Sequence, residues 1–303
     1  MGKPGEIEKD WSPFRAWGHK SHVPDIAAFI LLAAIFLYLL IKGKGLPQYS
    51  WQWKLLLEFI VRHGKDGQLE PGLLLAGLAT TIKLGIWTLL LSLLSGLALG
   101  ALAFGKSTIP RFIYLSVITL ARNTPPLVIL FSVYFMAGNL LPIGWVEHLL
   151  RSGPGWLRDG FGILFALPGQ LDRMMAAVLA LSLYQGAYVA EIVRGAMQSV
   201  PQGQWDAARA LGLNRRQTLH LVILPQAARM MIPPLTGQTI TTFKDTALAS
   251  LVSVPDLTFQ SLEIMAVSGM TFEIWFTTAA IYLIIGAGCA LAGFWLERKF
   301  TFS

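Results

Sequence analysis

Charged residues are scarce in this sequence. Only 14% of its 303 residues are Asp, Glu, Lys or Arg, whereas 54% are hydrophobic. A soluble globular domain carries about a quarter charged residues, which its water-facing surface requires. The deficit excludes an ordinary soluble domain and predicts an all-α integral membrane protein. Because a spanning helix needs about 20 apolar residues, the length allows about six transmembrane helices with their loops.

The small numbers of cysteine and histidine residues also restrict the kinds of site that the chain can form. The single cysteine, Cys289, excludes an intrachain disulfide and a cysteine metal cluster. The 5 histidines are scattered without metal-ligand spacing, and no G-x-S-x-G nucleophile pattern occurs. We therefore predict no metal, no catalytic residue and no enzymatic activity, which argues against a membrane-embedded enzyme.

The charge that is present is basic, with a formal net charge of +7. Such a balance indicates either nucleic-acid binding or cytoplasmic membrane loops rich in Lys and Arg. The second reading is favoured, because no basic stretch is interleaved with the patterning of a soluble domain. We therefore predict a lipid bilayer and no nucleic acid as partner. The basic connection 195–229 then lies in the cytoplasm, and residues 253–273, which contain no Lys or Arg, lie outside. Near the N-terminus the charges are balanced, so the direction of the first span follows only from counting helices.

Three regions are expected along the chain. Residues 1–25 form a mixed-charge cytoplasmic tail. Residues 26–70 hold an extra N-terminal transmembrane helix, Ile26–Ile41, and an amphipathic interfacial helix, Tyr49–His63. Residues 71–303 form the core, whose apolar regions are Leu84–Phe104, Phe112–Leu141, Met174–Val193, Met230–Val254 and Ile274–Leu296. Pro125-Pro126 interrupts the second of these, and Pro233-Pro234 predicts a short or broken helix in the fourth.

One motif is misleading. Residues Gly100–Ser107 match the phosphate-loop pattern G-x-x-x-x-G-K-S letter for letter. That chemistry needs a strand before the loop and a helix after it, so that backbone N–H groups surround the phosphates. Here a long apolar helix precedes the motif and Pro110 follows it. We therefore interpret the motif as a helix end with a glycine cap and a positive-inside lysine.

The connection 195–229 has the pattern of a helical hairpin. Pro201 suits the first turn of a helix, and Trp205, Ala208 and Leu211 share one face of it. Gly212 is placed to end this helix in a left-handed conformation. Asn214 and Gln217 then resemble a capping box for a second helix, with an apolar face that extends to Pro225. This pattern predicts a rigid protrusion that presents the small residues Ala207 and Ala208, although an ordinary hairpin on lipid headgroups has the same pattern.

The hairpin resembles the coupling loop of permease subunits in binding-protein-dependent ABC importers. The family pattern is Glu-Ala-Ala, a glycine four residues later and Ile-x-Leu-Pro downstream; here it reads Asp206-Ala207-Ala208, Gly212 and Val222–Pro225. Segments Gly186–Gly195, Arg122–Pro125 and Lys244–Ser250 resemble the polar amino acid permeases of the histidine, glutamine and arginine type. The resemblance covers about Leu73 to Lys299. Asp206 replaces the family's Glu, and Asn123 stands where the family commonly has Gly.

The resemblance implies a function and a set of partners. It implies a five-helix core, to which the first span is an addition, in a prokaryotic cytoplasmic membrane. The chain would form the channel of an ATP-driven importer for polar amino acids. It would bind no cofactor itself; ATP and Mg²⁺ would sit on a cytoplasmic dimer of ATP-binding subunits. Further partners would be an extracytoplasmic solute-binding protein and a second permease, either this chain again or a paralogue. The implied ATPase-coupling residues are Trp205, Asp206, Ala207, Ala208, Leu211 and Gly212.

Polar residues at membrane depth are candidates for the solute pathway, because they are costly in lipid and tend to face a cavity or a partner. The candidates are Asn123, Gln185, Tyr188, Glu191, Thr239, Lys244 and Asp245. Glu191 and Arg194 lie one helical turn apart, so an ion pair between them explains both equally well. Lys244 and Asp245 are adjacent, so at most one of them need face a pathway.

A stand-alone secondary transporter or channel is the alternative function. It predicts inverted repeats or a line of titratable groups across the membrane. Neither is visible in this sequence, which favours the importer.

Overall fold

The structure of the chain is a computed structural model. It describes residues 34, 38, 49–63, 68–104, 107–140 and 143–301. The expected tail, residues 1–25, lies outside the described residues, and so does the expected first span except for Ala34 and Tyr38. The chain divides into two compact units, Met1–Trp51 and Gln52–Ser303. All the described helices and strands from Trp53 onward belong to the second unit.

The described elements are almost all helical. In chain order they are α1 Trp53–Ile60, β1 Val61–His63, β2 Leu69–Pro71, α2 Leu73–Leu102, α3 Thr108–Asn123, α4 Pro126–Leu140, α5 Ile143–Ser152, α6 Gly155–Leu164, α7 Leu171–Ser199, α8 Gln202–Ala210, α9 Arg215–Gln217, a π-helical segment Thr218–Ile223, α10 Leu224–Asp245, a 3₁₀ segment Thr246–Val252, α11 Leu257–Ser268 and α12 Thr271–Thr301.

The expected interfacial helix is shorter than predicted. Helix α1 ends at Ile60, and β1 then pairs antiparallel with β2, Val61 opposite Pro71. β-branched Val61 favours an extended backbone, and Arg62 lies 2.7 Å from the Glu70 carboxylate across the pair. Leu56 anchors α1 in a buried cluster with Leu74 of α2. The helix prediction for Tyr49–His63 was therefore wrong at both ends, over residues 49–52 and 61–63.

Three of the described helices are long and apolar enough to cross a membrane: α2, α7 and α12, the last over Thr271–Lys299. Helices α3 and α4 are bent by 109° at the break before Pro126 and add a fourth span if the pair is counted as one. The chain is thus an all-α membrane protein. The first expected span lies outside the described residues and α10 is not among these helices, so the expected count of about six spans stays a prediction.

Small residues allow the two most buried spans, α2 and α7, to pack closely. A Cβ on Gly96 would lie 2.5 Å from Val189 Cβ, and one on Gly100 would lie 2.8 Å from Val193 Cβ. Glycines of this kind let membrane helices approach each other and gain van der Waals contact. Gly96 and Gly100 lie about one helical turn apart, so both face α7.

Two proline predictions differ from the structure. Helix α10 runs from Leu224 to Asp245 through Pro233 and Pro234, and the change of geometry comes later, at the 3₁₀ segment. Pro233 and Pro234 lack backbone N–H groups, so only two carbonyls of the helix lose their donors. Neighbouring polar groups of a membrane helix bundle can replace these donors. Pro225 does not end the second helix of the hairpin either. It lies in the first turn of α10, where a missing N–H is tolerated.

The segment between α4 and α7 contains two short helices. These helices, α5 and α6, are both amphipathic. Trp145 and Trp156 are exposed on them, as aromatic residues at a membrane interface commonly are.

Candidate functional site

The connection between α7 and α10 folds as a helical hairpin, which we call the coupling hairpin (Pro201–Pro225). It consists of α8, a tight turn at Leu211–Leu213, α9 and the π-helical segment. Pro201 immediately precedes α8, and its fixed φ leads the chain into the helix. The predicted helix–turn–helix is present.

Gly212 makes the turn possible. Its φ is +75°, a left-handed conformation that side chains with a Cβ disfavour. Leu213 N donates to Ala208 O at 3.1 Å, and Gly212 N donates to Arg209 O at 3.0 Å. These two bonds form a Schellman motif, which satisfies carbonyls left over at the end of α8. A Cβ on Gly212 would meet no atom within 4 Å, so the constraint is backbone conformation and not space.

The second helix begins with the predicted capping box. Gln217 N donates to Asn214 Oδ1 at 3.0 Å, and Asn214 N donates to Gln217 Oε1 at 2.9 Å. Each side chain thereby satisfies a backbone donor that the start of a helix leaves free. The glycine turn and the capping box together fix the angle between the two arms.

Buried contacts attach the hairpin to the spans. Ala208 is only 2% exposed, and Trp205 packs against a cluster that includes Val193 of α7 and Ile223. Arg215 Nη2 donates to Phe104 O at 2.8 Å, just after α2. A movement of the hairpin would therefore be felt by both α2 and α7.

The outward surface of the hairpin is formed by other residues. Leu211 is 80% exposed at its tip, Asp206 and Ala207 are exposed on α8, and Arg209 donates to the Asp206 carboxylate. The expectation that Ala208 presents a docking surface is corrected, because Ala208 faces the interior. Its small side chain lets α8 pack closely onto the rest of the chain.

A first polar cluster lies between α7 and α10. Gln185, fully buried, donates from Nε2 to Asp245 Oδ2 at 2.7 Å, and Gln238 Nε2 donates to Gln185 Oε1. Lys244 is exposed and takes no part, as adjacency on a helix predicts. The structure thus brings together two of the pathway candidates, Gln185 and Asp245.

A second polar cluster joins α7 to α3. Arg194 binds the Glu191 carboxylate with two hydrogen bonds, of 3.0 and 2.9 Å, as the one-turn spacing predicted. Arg122 Nη1 lies 3.2 Å from Glu191 Oε2, and Tyr114 donates to Glu191 Oε1. The Arg122 guanidinium also lies over the Tyr188 ring, 5.5 Å from its centroid. Glu191 therefore ties the α3–α4 break to α7.

The remaining pathway candidates lie outside both polar clusters. Asn123 is exposed at the end of α3, and Thr239 donates to Leu235 O within its own helix at 2.8 Å. Sequence reasoning missed Gln238 and Tyr114. Gln238 lies seven residues before Asp245, which places both on one face of a helix and was a usable signal; nothing local distinguishes Tyr114.

The phosphate-loop lookalike has the wrong setting for nucleotide. Residues 100–102 belong to α2, a 30-residue helix, where a phosphate loop requires a strand. Gly105 and Lys106 lie outside the described residues. Within the part of the chain that the structure describes, no group of His, Cys, Asp and Glu could hold a metal ion.

Comparison with curated proteins gives permease proteins of amino acid transport systems among the relatives. The glutamine transport system permease protein of Escherichia coli strain K12 is 37% identical over 207 residues, covering 67% of this chain and 83% of that protein. The arginine ABC transporter permease protein of the same strain is 33% identical, covering 56% and 70%. The L-cystine transport system permease protein of Bacillus subtilis strain 168 is 39% identical, covering 52% and 70%.

Solved structures agree on the fold. A crystal structure of an amino acid ABC transporter with histidines matches with a TM-score of 0.64 and 26% identity, covering 83% of this chain and 100% of that chain. The inward-facing MetNI methionine ABC transporter matches with a TM-score of 0.56 and 18% identity, covering 75% and 96%.

The family match includes every element of the two polar clusters and the hairpin. Residues 92–301 match the family described as the inner membrane component of binding-protein-dependent transport systems. The chain belongs to this family of membrane permease components.

Proposed function

We propose that this chain forms the transmembrane pathway of an ATP-driven importer of polar amino acids, and that the coupling hairpin transmits the movement of a separate ATPase to the spans. The exposed tip at Leu211, held rigid by the Gly212 turn and rooted through Ala208 and Trp205, is the observation that carries the proposal. A rigid element that is exposed at one end and buried at the other converts docking into helix movement.

The solute class rests on the relatives. They include permease proteins named for glutamine, arginine and cystine. Each of these solutes carries an α-carboxylate and an α-ammonium, so a shared pathway must accept both charges. Gln185 and Asp245 supply a donor, acceptors and a negative charge at one place between α7 and α10, which favours them as pathway residues over Asn123, Thr239 and Lys244.

The proposal includes three kinds of partner. A cytoplasmic dimer of ATP-binding subunits holds ATP and Mg²⁺ and contacts the hairpin. An extracytoplasmic solute-binding protein delivers the amino acid, and a second permease, either this chain or a paralogue, completes the pathway.

The test is amino-acid-stimulated ATP hydrolysis by the complex in liposomes, with a panel of amino acids and the solute-binding protein. Asp206→Lys reverses a charge that is 59% side-chain exposed on the hairpin; we expect it to remove stimulation, and Asp206→Glu to retain it. The matched control is Glu58→Lys, an exposed charge reversal on α1. Uptake that proceeds without ATP, or normal stimulation in Asp206→Lys, would contradict the proposal.

A further inference from the structure

A cavity of about 500 Å³ lies far from the coupling hairpin. Its walls come from α2, α6, the start of α7 and residues 254–260 around the start of α11. These parts are the predicted extracytoplasmic ends of the core. The cavity shares no lining residue with the Gln185 or Glu191 clusters, so it is a separate feature of the molecule.

One wall carries a cation. Lys83 of α2 lines the cavity, and its Nζ donates to Gly162 O of α6 at 2.6 Å. A lysine ammonium has three donors, so two remain for a ligand. No carboxylate within the described ranges forms a salt bridge with it. The bond to Gly162 fixes the ammonium at the edge of the cavity, and its charge is available to an anion.

A second wall carries an unsatisfied acceptor. Gln260 of α11 lines the cavity and is 8% exposed, and its Oε1 is buried without a hydrogen-bond partner among the described residues. Buried polar side-chain atoms almost always have a partner. Because Gln260 lines the cavity, a rotation of its carboxamide would bring this acceptor to a ligand donor.

Other polar groups line the same space. The Asp159 carboxylate lies at the rim, 67% exposed and 3.6 Å from Arg158 Nε, and Gln170 adds a carboxamide. Thr80 also lines the cavity, although its hydroxyl donates to Ala76 O of its own helix. The cavity thus contains the Lys83 ammonium at its edge, the Asp159 carboxylate at its rim and several neutral hydrogen-bond acceptors. Apolar surface lies between these groups.

We propose that this cavity binds a zwitterion, with an anionic oxygen group on Lys83 and a primary ammonium on Gln260 and Asp159. Two sources have this chemistry: a free amino acid and the headgroup of phosphatidylethanolamine. A free amino acid would make the cavity an outer subsite ahead of the pathway clusters, and this occupant rests on the proposed function. A headgroup would make the cavity a lipid site that is independent of transport.

The experiment measures protection of a cysteine in the cavity. Thr80→Cys is made in a Cys289→Ser background, and the complex is labelled in nanodiscs with a membrane-impermeant thiol reagent. One arm adds glutamine, histidine or arginine, with N-acetylglutamine, which lacks the ammonium, and glutamine amide, which lacks the carboxylate, as controls. The other arm compares nanodiscs of phosphatidylethanolamine with nanodiscs of phosphatidylcholine, whose ammonium has no N–H.

Mass action predicts that a zwitterion at about ten times its Kd slows labelling about tenfold. Lys83→Met and Gln260→Leu should each abolish this protection, and the control Lys54→Met, an exposed lysine on α1, should keep it. Protection by the amino acids or by phosphatidylethanolamine supports the site and identifies its occupant. Equal labelling in all arms, or protection that survives both cavity variants, would overturn it.

Failure of this site and failure of the proposed function are distinguishable. Repeating the labelling in an Asp206→Lys background uncouples transport without touching the cavity, so protection should remain. If stimulation of ATP hydrolysis is normal in the parent complex while protection is absent, the importer proposal stands and the zwitterion site does not.

Discussion

Two turns, at opposite ends of the core, each contain a glycine with a positive φ that ends a helix. Gly212 has φ +75° and ends α8, and Gly269 has φ +71° and ends α11. A Cβ on either glycine would meet no atom within 4 Å. Both positions therefore need glycine for the same reason, which is the left-handed conformation.

The surroundings of the two turns differ. Leu211, just before Gly212, is 80% exposed, whereas Met270, just after Gly269, is 1% exposed and packs with Leu257 and Ile264. The same local signal thus serves a protruding surface in one place and a closed core in the other. The burial of the adjacent side chain therefore distinguishes a turn that exposes a surface from a turn that packs in the core.

The largest expected loss of transport comes from valine at Gly212, compared with valine at Gly269. A β-branched residue at positive φ adds strain of roughly 1–3 kcal/mol, small against the packing of the spans but enough to tilt the coupling hairpin. Gly212→Val should insert and assemble yet lose most amino-acid-stimulated hydrolysis and uptake, and Gly212→Asn, which tolerates the conformation, should retain both. The same assays apply to Gly269→Val.

Gly269→Val should reduce the yield or thermal stability of the complex, while the molecules that assemble stay coupled. Uncoupling by Gly269→Val to the same degree as by Gly212→Val would erase the functional distinction between the two turns.

The two turns should also differ in the free energy of unfolding when the neighbouring side chain is truncated. Met270→Ala removes a buried side chain and should lower the free energy of unfolding by about 2–5 kcal/mol. Leu211→Ala changes an exposed side chain, and its effect should stay within about 0.5 kcal/mol. Denaturant unfolding of the solubilised permease measures both. Equal losses would show that the two turns are packed alike.

The stability of the protein should depend on pH through one buried carboxyl group. Asp256 is fully buried at the start of α11, in the predicted extracytoplasmic connection, and burial raises its pKa to about 7. Because the folded state holds this proton more tightly than the unfolded chain, its contribution to stability is present below about pH 4 and lost as the pH rises through 7.

Asp256→Asn tests this directly. Asparagine keeps the cap on Phe259 N, which Asp256 Oδ1 accepts at 2.8 Å, but does not titrate. Melting temperatures at pH 5 and pH 8 should differ less in Asp256→Asn than in the parent protein. An unchanged difference would assign the pH dependence to another group.

The smallest effect concerns the capping box of the hairpin. Asn214→Ala removes a side-chain acceptor and should destabilise the second arm by about 1 kcal/mol. Stimulated hydrolysis should fall partially, and by less than in Gly212→Val, because the glycine turn remains. Asn214→Ser, which also caps helices, is the control. A complete loss in Asn214→Ala would place the coupling constraint in the cap and not in the turn.

The local signals of the hairpin were readable in the sequence. Gly212, the Asn214–Gln217 box and the Glu191–Arg194 pair each depend on residues within four positions, so spacing alone specifies them. Tertiary contacts were not readable in this way. The burial of Ala208, the contact of Tyr114 with Glu191 and the unbroken helix at Pro233 all depend on neighbouring helices, which local spacing does not encode.

The central claim is that the tip of the coupling hairpin docks to the ATPase, and cross-linking tests it most directly. Leu211→Cys and Val267→Cys, 80% and 87% exposed at opposite ends of the core, are made in a Cys289→Ser background and carry a photoactivatable cross-linker in the assembled complex. The account predicts a permease–ATPase adduct from position 211 and none from position 267. An ATPase adduct from position 267, or none from position 211 in a complex that hydrolyses ATP, would contradict it.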